Sequence, residues 1–448
     1  MDSHLFGTSG IRGHGQKLFT NQFSFDIGRA FAIFLKKHNQ IGKVAVGNDP
    51  RGSSPRIKDA FSSGIIYENF ELFDEGVTPI PSLNVLLKAD TSYVGSVMVS
   101  GSHIKPELNG LKFFAFGEEI LKEHEAEIEK IYYEIKEKIN YTDKSYVIVP
   151  SNRALTGYKE YLLSKAKGGY PSWKVIVDPG NGAQSDVMPW VFRQLGLNII
   201  EMNSSIQLPF LSRDTEVEGD FADLQKNVVK EKADFGIGYD SDGDRVVFID
   251  EKGGFIPGDY SGTLIARDYA YDSIVTPINT SQVVESLGKK VFRTKVGSPY
   301  VVEKMKEVKA SFGFEANGGG IFSEMMSRDG GRASIEILNI LAQVKGTLSK
   351  LVASLPKFYL FRDKVEYEWN LKEKIIEGAK GIFKGEKTEE LDGLKIWLDK
   401  STWILFRSSA NAPEFRVFAE SKNEEKARKL LTEGLSFVKK IVAQNLKS

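Results

Sequence analysis

Asp240-Ser241-Asp242-Gly243-Asp244-Arg245 stands between two apolar runs, Asp234-Phe235-Gly236-Ile237 and Val246-Val247-Phe248-Ile249. Three carboxylates at alternate positions converge on one hard divalent cation only where the backbone turns, and Gly243 supplies that freedom. Oxygen ligands of this kind suit magnesium or calcium rather than zinc. A calcium EF-hand register also puts Asp240, Asp242, Asp244 and Glu251 at loop positions one, three, five and twelve. Its sixth position, however, holds Arg245 where that loop needs Gly, and the following residues read as strand rather than helix. The EF-hand reading fails. What stays open is a metal-binding loop between two strands or an acidic turn that merely caps one.

Working outward, β-branched runs alternate with helical patterns. Ile27, Phe31, Phe34 and Leu35 fall at helical spacing, and Lys43-Val44-Ala45-Val46-Gly47 then reads as a buried strand. Tyr93 to Val99, Lys174–Val177 and Val291–Thr294 continue the alternation. Such βαβ order predicts mainly parallel sheets with covered faces. Glu119–Asn140, charged at helical spacing, reads as a solvated helix closing the first domain. Toward the C-terminus, Phe358–Tyr367, Leu394–Leu398 and Ile404–Phe406 are strand-like, and an amphipathic helix starts at Glu424. That predicts a smaller α+β domain with an antiparallel sheet. Boundaries are expected to divide the chain into 1–150, 151–250, 251–357 and 358–448. The βα units resemble one another loosely, without a fixed period.

The 448 residues are too many for one core, since domains run to about 150 residues. Lys plus Arg and Asp plus Glu are 60 each, so no global basic footprint calls for nucleic acid. The absence of Cys removes disulfides, thiolate catalysis and Cys-ligated zinc together, and five His make a His-rich metal site improbable. No apolar run is long enough to span a membrane. Met1-Asp2-Ser3-His4 lacks the basic-then-apolar start of a signal peptide, which points to the cytoplasm.

Three further loops carry candidate chemistry. Val99-Ser100-Gly101-Ser102-His103 ends a strand and is followed by Asn109-Gly110-Leu111-Lys112. A serine on a glycine-flanked turn, beside His and near Lys, suits a nucleophile or phosphate carrier, although hydroxyl-rich turns are often only turns. Gly313-Phe314-Glu315-Ala316-Asn317-Gly318-Gly319-Gly320 offers a carboxylate and an amide to vicinal hydroxyls, or forms an ordinary hairpin. Arg407-Ser408-Ser409-Ala410-Asn411-Ala412-Pro413, with Arg416 beyond, is what a phosphate dianion needs, or a charged surface turn.

In this order the loops resemble the α-D-phosphohexomutase family, which comprises phosphomannomutases, phosphoglucomutases and phosphoglucosamine mutases. Phe6-Gly7-Thr8-Ser9-Gly10-Ile11-Arg12-Gly13 is similar to the family's N-terminal signature, and Gly47-Asn48-Asp49-Pro50-Arg51 to its second loop. Ser100 to Lys112 resembles T-A-S-H-N-P-x-x-x-N-G-x-K, and Asp240 to Arg245 resembles D-G-D-x-D-R. Val296-Gly297 and Asp329-Gly330 also fit. The resemblance spans the whole chain.

It implies an α/β protein of four domains around a central cleft: three mixed αβα sheet domains and a smaller C-terminal α+β domain. These would bear, in chain order, the phosphoserine, the metal, the sugar-recognition loop and the phosphate-binding loop. Ser102 would be the phosphoserine, and Asp240, Asp242 and Asp244 would hold magnesium with an oxygen on Ser102. Arg245 and Arg12 would flank that phosphate, while His103 and Lys112 would position the reacting hydroxyl and assist proton transfer. Glu315 and Asn317 would read sugar hydroxyls; Arg407, Ser409, Asn411 and Arg416 would grip the non-reacting phosphate. The implied partners are small hexose phosphates, with hexose 1,6-bisphosphate as intermediate and activator, in a monomer or homodimer. The chain departs from the pattern at Ile104 and Lys105, at Asn317 where Glu-x-Ser usually ends, and in Ser409-Ala410-Asn411-Ala412-Pro413 where S-G-T-E-P is usual.

Overall fold

Short β-branched and aromatic runs become the strands of four separate sheets. The computed structural model describes residues 5–7, 10–142, 148–409 and 413–445. In the first sheet, Val149–Pro150, Glu71–Val77, Lys43–Asn48 and Tyr93–Val99 run parallel, and Leu108–Ala115 and Ile11–His14 complete it antiparallel. The second sheet has Asn198–Glu201, Lys174–Asp178 and Phe235–Tyr239 parallel, then Val246–Asp250 and Phe255–Ile256 antiparallel. In the third, Lys290–Thr294, Ser273–Pro277 and Phe312–Phe314 are parallel, followed by antiparallel Gly320–Phe322 and Arg328–Asp329. The fourth is antiparallel throughout, from Tyr359–Glu366 through Glu414–Ser421, Thr402–Ser408 and Leu394–Asp399 to Lys387–Glu389.

The expectation of mainly parallel sheets is therefore corrected: each of the first three is half parallel and half antiparallel. The cause is loop length. Residues 100–107, 240–245 and 315–319 are too few for a parallel crossover, which needs about a dozen residues, so the chain turns straight back as a hairpin. This repeated switch is the internal resemblance that a fixed period could not reveal.

Helices cover the sheets where their apolar faces demand it. Asn21–Lys37 begins at Thr20, whose hydroxyl caps the Phe23 amide at 3.1 Å, and it lies against Ser54–Tyr67. The two helices approach at Gly28 and Gly64, where a Cβ would come within 2.2 Å of the Phe61 carbonyl and 2.1 Å of the Phe25 carbonyl. The charged segment expected as one solvated helix is shorter: Glu118–Glu119 is a strand, and the helix runs Lys122–Ile135. Its inner face, Glu125, Ile128 and Ile131, is buried.

The first sheet has its own core around Phe31, Phe61, Val97 and Phe113. The second and third share one, from Val177 and Phe248 to Phe314 and Leu338. Each such side chain contributes roughly 1.5–3 kcal/mol by burial, which fixes these two sheets as one platform. The last sheet has a separate core with the helices Lys372–Ile382 and Glu424–Asn445. Its other face meets the third sheet's domain through Ile278 against Trp403, Leu405 and Phe418.

Candidate active site

In each of the first three sheets, the candidate loop is the hairpin at which parallel pairing gives way to antiparallel. The fourth candidate loop, 409–413, joins two neighbouring antiparallel strands as well. The hairpin and the functional readings of residues 313–320 are thus compatible.

Ser102 is buried and held at φ +54°, a left-handed conformation that a side chain bearing Cβ occupies only when its surroundings impose it. The surroundings are dense. Arg51, itself buried, donates from Nη1 to the carbonyls of Lys105 (2.8 Å) and Leu108 (2.9 Å) and from Nη2 to those of Ile104 (2.8 Å) and Ser102. Its Nε donates to Asp49 Oδ2 at 2.9 Å. The Ser100 hydroxyl accepts from the Ser102 amide at 2.8 Å and offers its one proton to Asp49 Oδ2 (2.8 Å) or Asp242 Oδ2 (2.9 Å). Ser241 Oγ donates to the Ser102 carbonyl at 2.7 Å. With its main chain so fixed, Ser102 turns Oγ to Asp240 Oδ2 at 2.7 Å, with His103 Nδ1 at 3.4 Å.

The three aspartates meet there. One carboxylate oxygen from each of Asp240, Asp242 and Asp244 lies within 4.8 Å of the others, and all three residues are buried. Gly243, at φ +70°, lets the loop turn; a Cβ there would press to 2.5 Å from the Gln184 side chain. Lys112 Nζ donates to Asp242 Oδ2 (3.1 Å) and Asp244 Oδ2 (3.3 Å), leaving Oδ1 of both buried with no hydrogen-bond partner. Burial and the neighbouring Asp242 and Asp244 charges push the Asp240 carboxyl well above its ordinary range. Burial opposes ionisation of Asp244 too, but Arg328, Lys112 and Arg245 prevail and hold its pKa below the usual value. Crowded, acceptor-only oxygens with unused lone pairs fit a hard divalent cation.

Cations ring the acids. Arg245 Nε lies 3.8 Å from Asp240 and 3.9 Å from Asp244. Arg12, on the edge strand Ile11–His14, faces the same cluster, and desolvation with Arg245 nearby lowers its guanidinium to about 10. Desolvation, then Arg245, Arg12, Arg328 and Lys112, hold the His103 imidazole well below its ordinary value. Arg328 joins two loops: Nη2 donates to Asp244 at 2.6 Å and Nη1 to Glu315 at 2.5 Å. Asn317 turns its amide so that the oxygen accepts from Arg328 at 3.2 Å.

Arg12, Ser102, His103, Lys112, the three aspartates and Arg245 therefore form one cluster, with Glu315 and Asn317 attached through Arg328. Arg407, Ser409 and Arg416 stay on the last sheet. Arg407 and Arg416 are cross-strand partners and so share a face. Arg407 Nε donates to Asp392 at 2.7 Å, and that same carboxylate oxygen accepts the Val296 amide at 3.0 Å. The Ser409 amide donates to the Glu414 carbonyl at 2.8 Å, and Arg416 reaches Glu414 at 3.3 Å. Asn411 lies outside the described residues.

Sequence reasoning gave no role to Arg51, Asp49, Arg328 or Asp392. For Arg51 and Asp49 the signal was the second loop itself; for Arg328 it was a cation directly before Asp329-Gly330.

Family profiles match three consecutive stretches: phosphoglucomutase/phosphomannomutase α/β/α domain I at residues 3–139, domain II at 156–254 and domain III at 257–359. The phosphoglucomutase/phosphomannomutase of Thermococcus kodakarensis is 34% identical over 97% of this chain and 98% of its own. The chain belongs to the α-D-phosphohexomutase family. A phosphoglucosamine/phosphogalactosamine mutase of Sulfurisphaera tokodaii is 32% identical over 98% of this chain and 99% of its own. The fold of a phosphoglucomutase/phosphomannomutase family protein from Burkholderia thailandensis superposes with a TM-score of 0.83 at 22% identity, covering 98% of each chain. Like its relatives, this phosphohexomutase is an isomerase-class phosphotransferase with three α/β/α domains and a β-rich C-terminal domain. Among its described residues no helix is long and apolar enough to cross a membrane.

Proposed function

We propose that this phosphohexomutase interconverts hexose 1-phosphates and hexose 6-phosphates, with mannose and glucose phosphates as substrates, through a phosphoserine at Ser102. The observation that carries this reading is the Ser102 hydroxyl, buried on a left-handed turn 2.7 Å from Asp240. A hydroxyl held so firmly beside three acids has no purpose in packing and suits a group that repeatedly gains and loses a phosphoryl.

Asp240, Asp242 and Asp244, with an oxygen on Ser102, are the residues that would hold magnesium; bound there, the cation neutralises charge on the transferring phosphoryl. Arg245 and Arg12, which face the same cluster, would add positive charge there. The Ser102 Oγ–phosphorus bond breaks as the free hydroxyl of the sugar phosphate bonds to phosphorus, giving a bound 1,6-bisphosphate. Lys112 and His103 hold that hydroxyl and assist transfer of its proton, and the departing Ser102 Oγ takes up a proton to end as a hydroxyl. The bisphosphate turns over, and its other phosphoryl returns to Ser102. Glu315 and Asn317 read ring hydroxyls in both orientations, while Arg407, Ser409, Asn411 and Arg416 grip whichever phosphate is not reacting. These roles divide among domains taken as 1–150, 151–250, 251–357 and 358–448.

A second substrate reading, phosphoglucosamine, is favoured by Asn317 standing where Glu-x-Ser usually ends and by the hexosamine-phosphate mutases among the relatives. Phosphorus NMR of the protein with magnesium, a trace of hexose 1,6-bisphosphate and each 1-phosphate in turn decides between them. Growth of a 6-phosphate resonance is expected, fastest with mannose or glucose. Release of inorganic phosphate alone would make the protein a phosphatase instead.

A further inference from the structure

The segment 212–216 belongs to none of the four hairpins, yet successive residues in it touch all of them or their domains. Arg213 roots it beneath the metal loop: Nη1 donates to Asp178 Oδ2 at 2.7 Å, and Nη2 donates to the carbonyl of Tyr239, the residue before Asp240, at 2.9 Å. On one side, Ser212 Oγ donates to the carbonyls of His103 and Ile104, each at 3.0 Å, in the serine loop. On the other, Thr215 Oγ1 donates to the Asn317 carbonyl in the sugar loop. Between them, Asp214 Oδ1 faces Arg245 Nη1 at 3.7 Å. Glu216 then pairs with Arg362, which also donates to the Glu216 carbonyl at 3.3 Å. Arg362 lies on Tyr359–Glu366, an edge strand of the last sheet.

Asp214 Oδ1 serves two masters, since it also accepts the Glu216 amide at 3.1 Å. Glu216 is thus tied directly to the oxygen that faces Arg245 Nη1, while Arg245 Nε is buried without a hydrogen bond, 3.8 Å from Asp240 and 3.9 Å from Asp244. We propose that the segment 212–216 is a strap that couples the seat of the last domain to the aim of Arg245. Asp214 and Glu216 are its positioning residues. The strap rests on the reading of Arg245 as a phosphoryl-binding residue, and extends it: a substrate phosphate gripped on the last sheet would draw Arg362, and through Glu216 and Asp214 would square Arg245 to the phosphoryl on Ser102. Transfer is thereby favoured with substrate seated, and idle otherwise.

A double-mutant cycle in the mutase assay tests it. Glu216→Ala is expected to raise KM and also lower kcat, each roughly fivefold, because both the seat and the aim are lost. Asp214→Asn is expected to lower kcat and spare KM. In the Asp214→Asn background, Glu216→Ala should change KM alone, its effect on kcat having already been spent. Glu216→Gln, which keeps the volume and removes the charge, covers the case in which the alanine variant fails to fold. Additive effects on kcat, or a Glu216 variant that alters KM only, would overturn the strap while leaving the mutase reading intact. A wild-type protein without mutase turnover would sink the underlying reading, and the strap with it.

Discussion

Ser102 and Arg407 sit at the ends of comparable hairpin strands, one beside the three aspartates and one on the last sheet, but their surroundings differ in kind. Around Ser102 the main chain is tied down by Arg51, Ser100 and Ser241, and the aspartates are met by Lys112 and Arg328. Among the described residues Arg407 pairs with the carboxylate of Asp392, and Arg416, whose side chain is 38% exposed, pairs with that of Glu414. A phosphoryl-transfer centre must be rigid, because misplacing a reacting oxygen forfeits the advantage of orientation. The clamp proposed at Arg407 and Arg416 would have to accept two poses, and arginines each paired with one carboxylate allow that. The lesson is that one hairpin plan yields a stiff site or an adaptable one according to how many buried partners its loop has.

The contrast can be broken most severely at Ser102. Ser102→Ala removes the proposed phosphoryl carrier and is expected to cut kcat by a factor of about a thousand or more without unfolding the protein, read by steady-state kinetics beside a thermal melt. Next comes the scaffold. Arg51→Met leaves Asp49 buried without its cation and frees four carbonyls, which should cost about 3–5 kcal/mol of stability in denaturant melts. An unchanged midpoint would show that the serine loop is stiff without Arg51. The clamp is expected to respond differently: Arg407→Ala loses a charged hydrogen-bonding group worth about 1.5–3 kcal/mol and should raise KM roughly tenfold to a hundredfold with little change in kcat. A pure kcat loss would make the two ends alike.

The smallest effect lies behind the N-terminal strand. Glu125, buried, accepts the Gly10 amide at 3.1 Å and is met by Lys122, which also reaches the Gly7 carbonyl at 2.6 Å. Burial raises the Glu125 carboxyl to about 7 against Lys122 and the Gly10 amide, which lower it. A carboxyl whose folded pKa is raised stabilises fully below its unfolded pKa of 4.5, and that contribution is lost as pH rises through about 7. Wild-type stability should therefore decline across that window relative to Glu125→Gln, in paired melts at several pH values. Parallel profiles would contradict it.

How much of this was legible beforehand depended on range along the chain. The candidate metal loop could be read because its three acids, its turn residue and its flanking strands are contiguous. Ser102 was legible for the same reason, as a turn ending a strand with Lys112 soon after. Arg51 and Arg328 were not, because each acts at a distance: Arg51 grips carbonyls 51 to 57 residues on, and Arg328 reaches Asp244 across 84 residues. No local pattern marks an arginine whose partners are main-chain oxygens elsewhere. The half-antiparallel sheets are absent from the βαβ pattern, which reports that strands alternate with helices but not where a short loop reverses the pairing; the mixed sheets came only from the family resemblance. The last domain's antiparallel sheet was legible because its strands follow one another with little helix between them.

The claim on which everything else depends is that Ser102 carries the phosphoryl group. The direct measurement is peptide mass spectrometry of the protein after incubation with hexose 1,6-bisphosphate and magnesium, followed by a chase with hexose 1-phosphate. One phosphoryl group is expected, on the peptide holding Ser102, absent from Ser102→Ala and discharged by the chase into the sugar bisphosphate. Phosphate on another residue, or mutase turnover by the Ser102→Ala protein at the wild-type rate, would contradict the account.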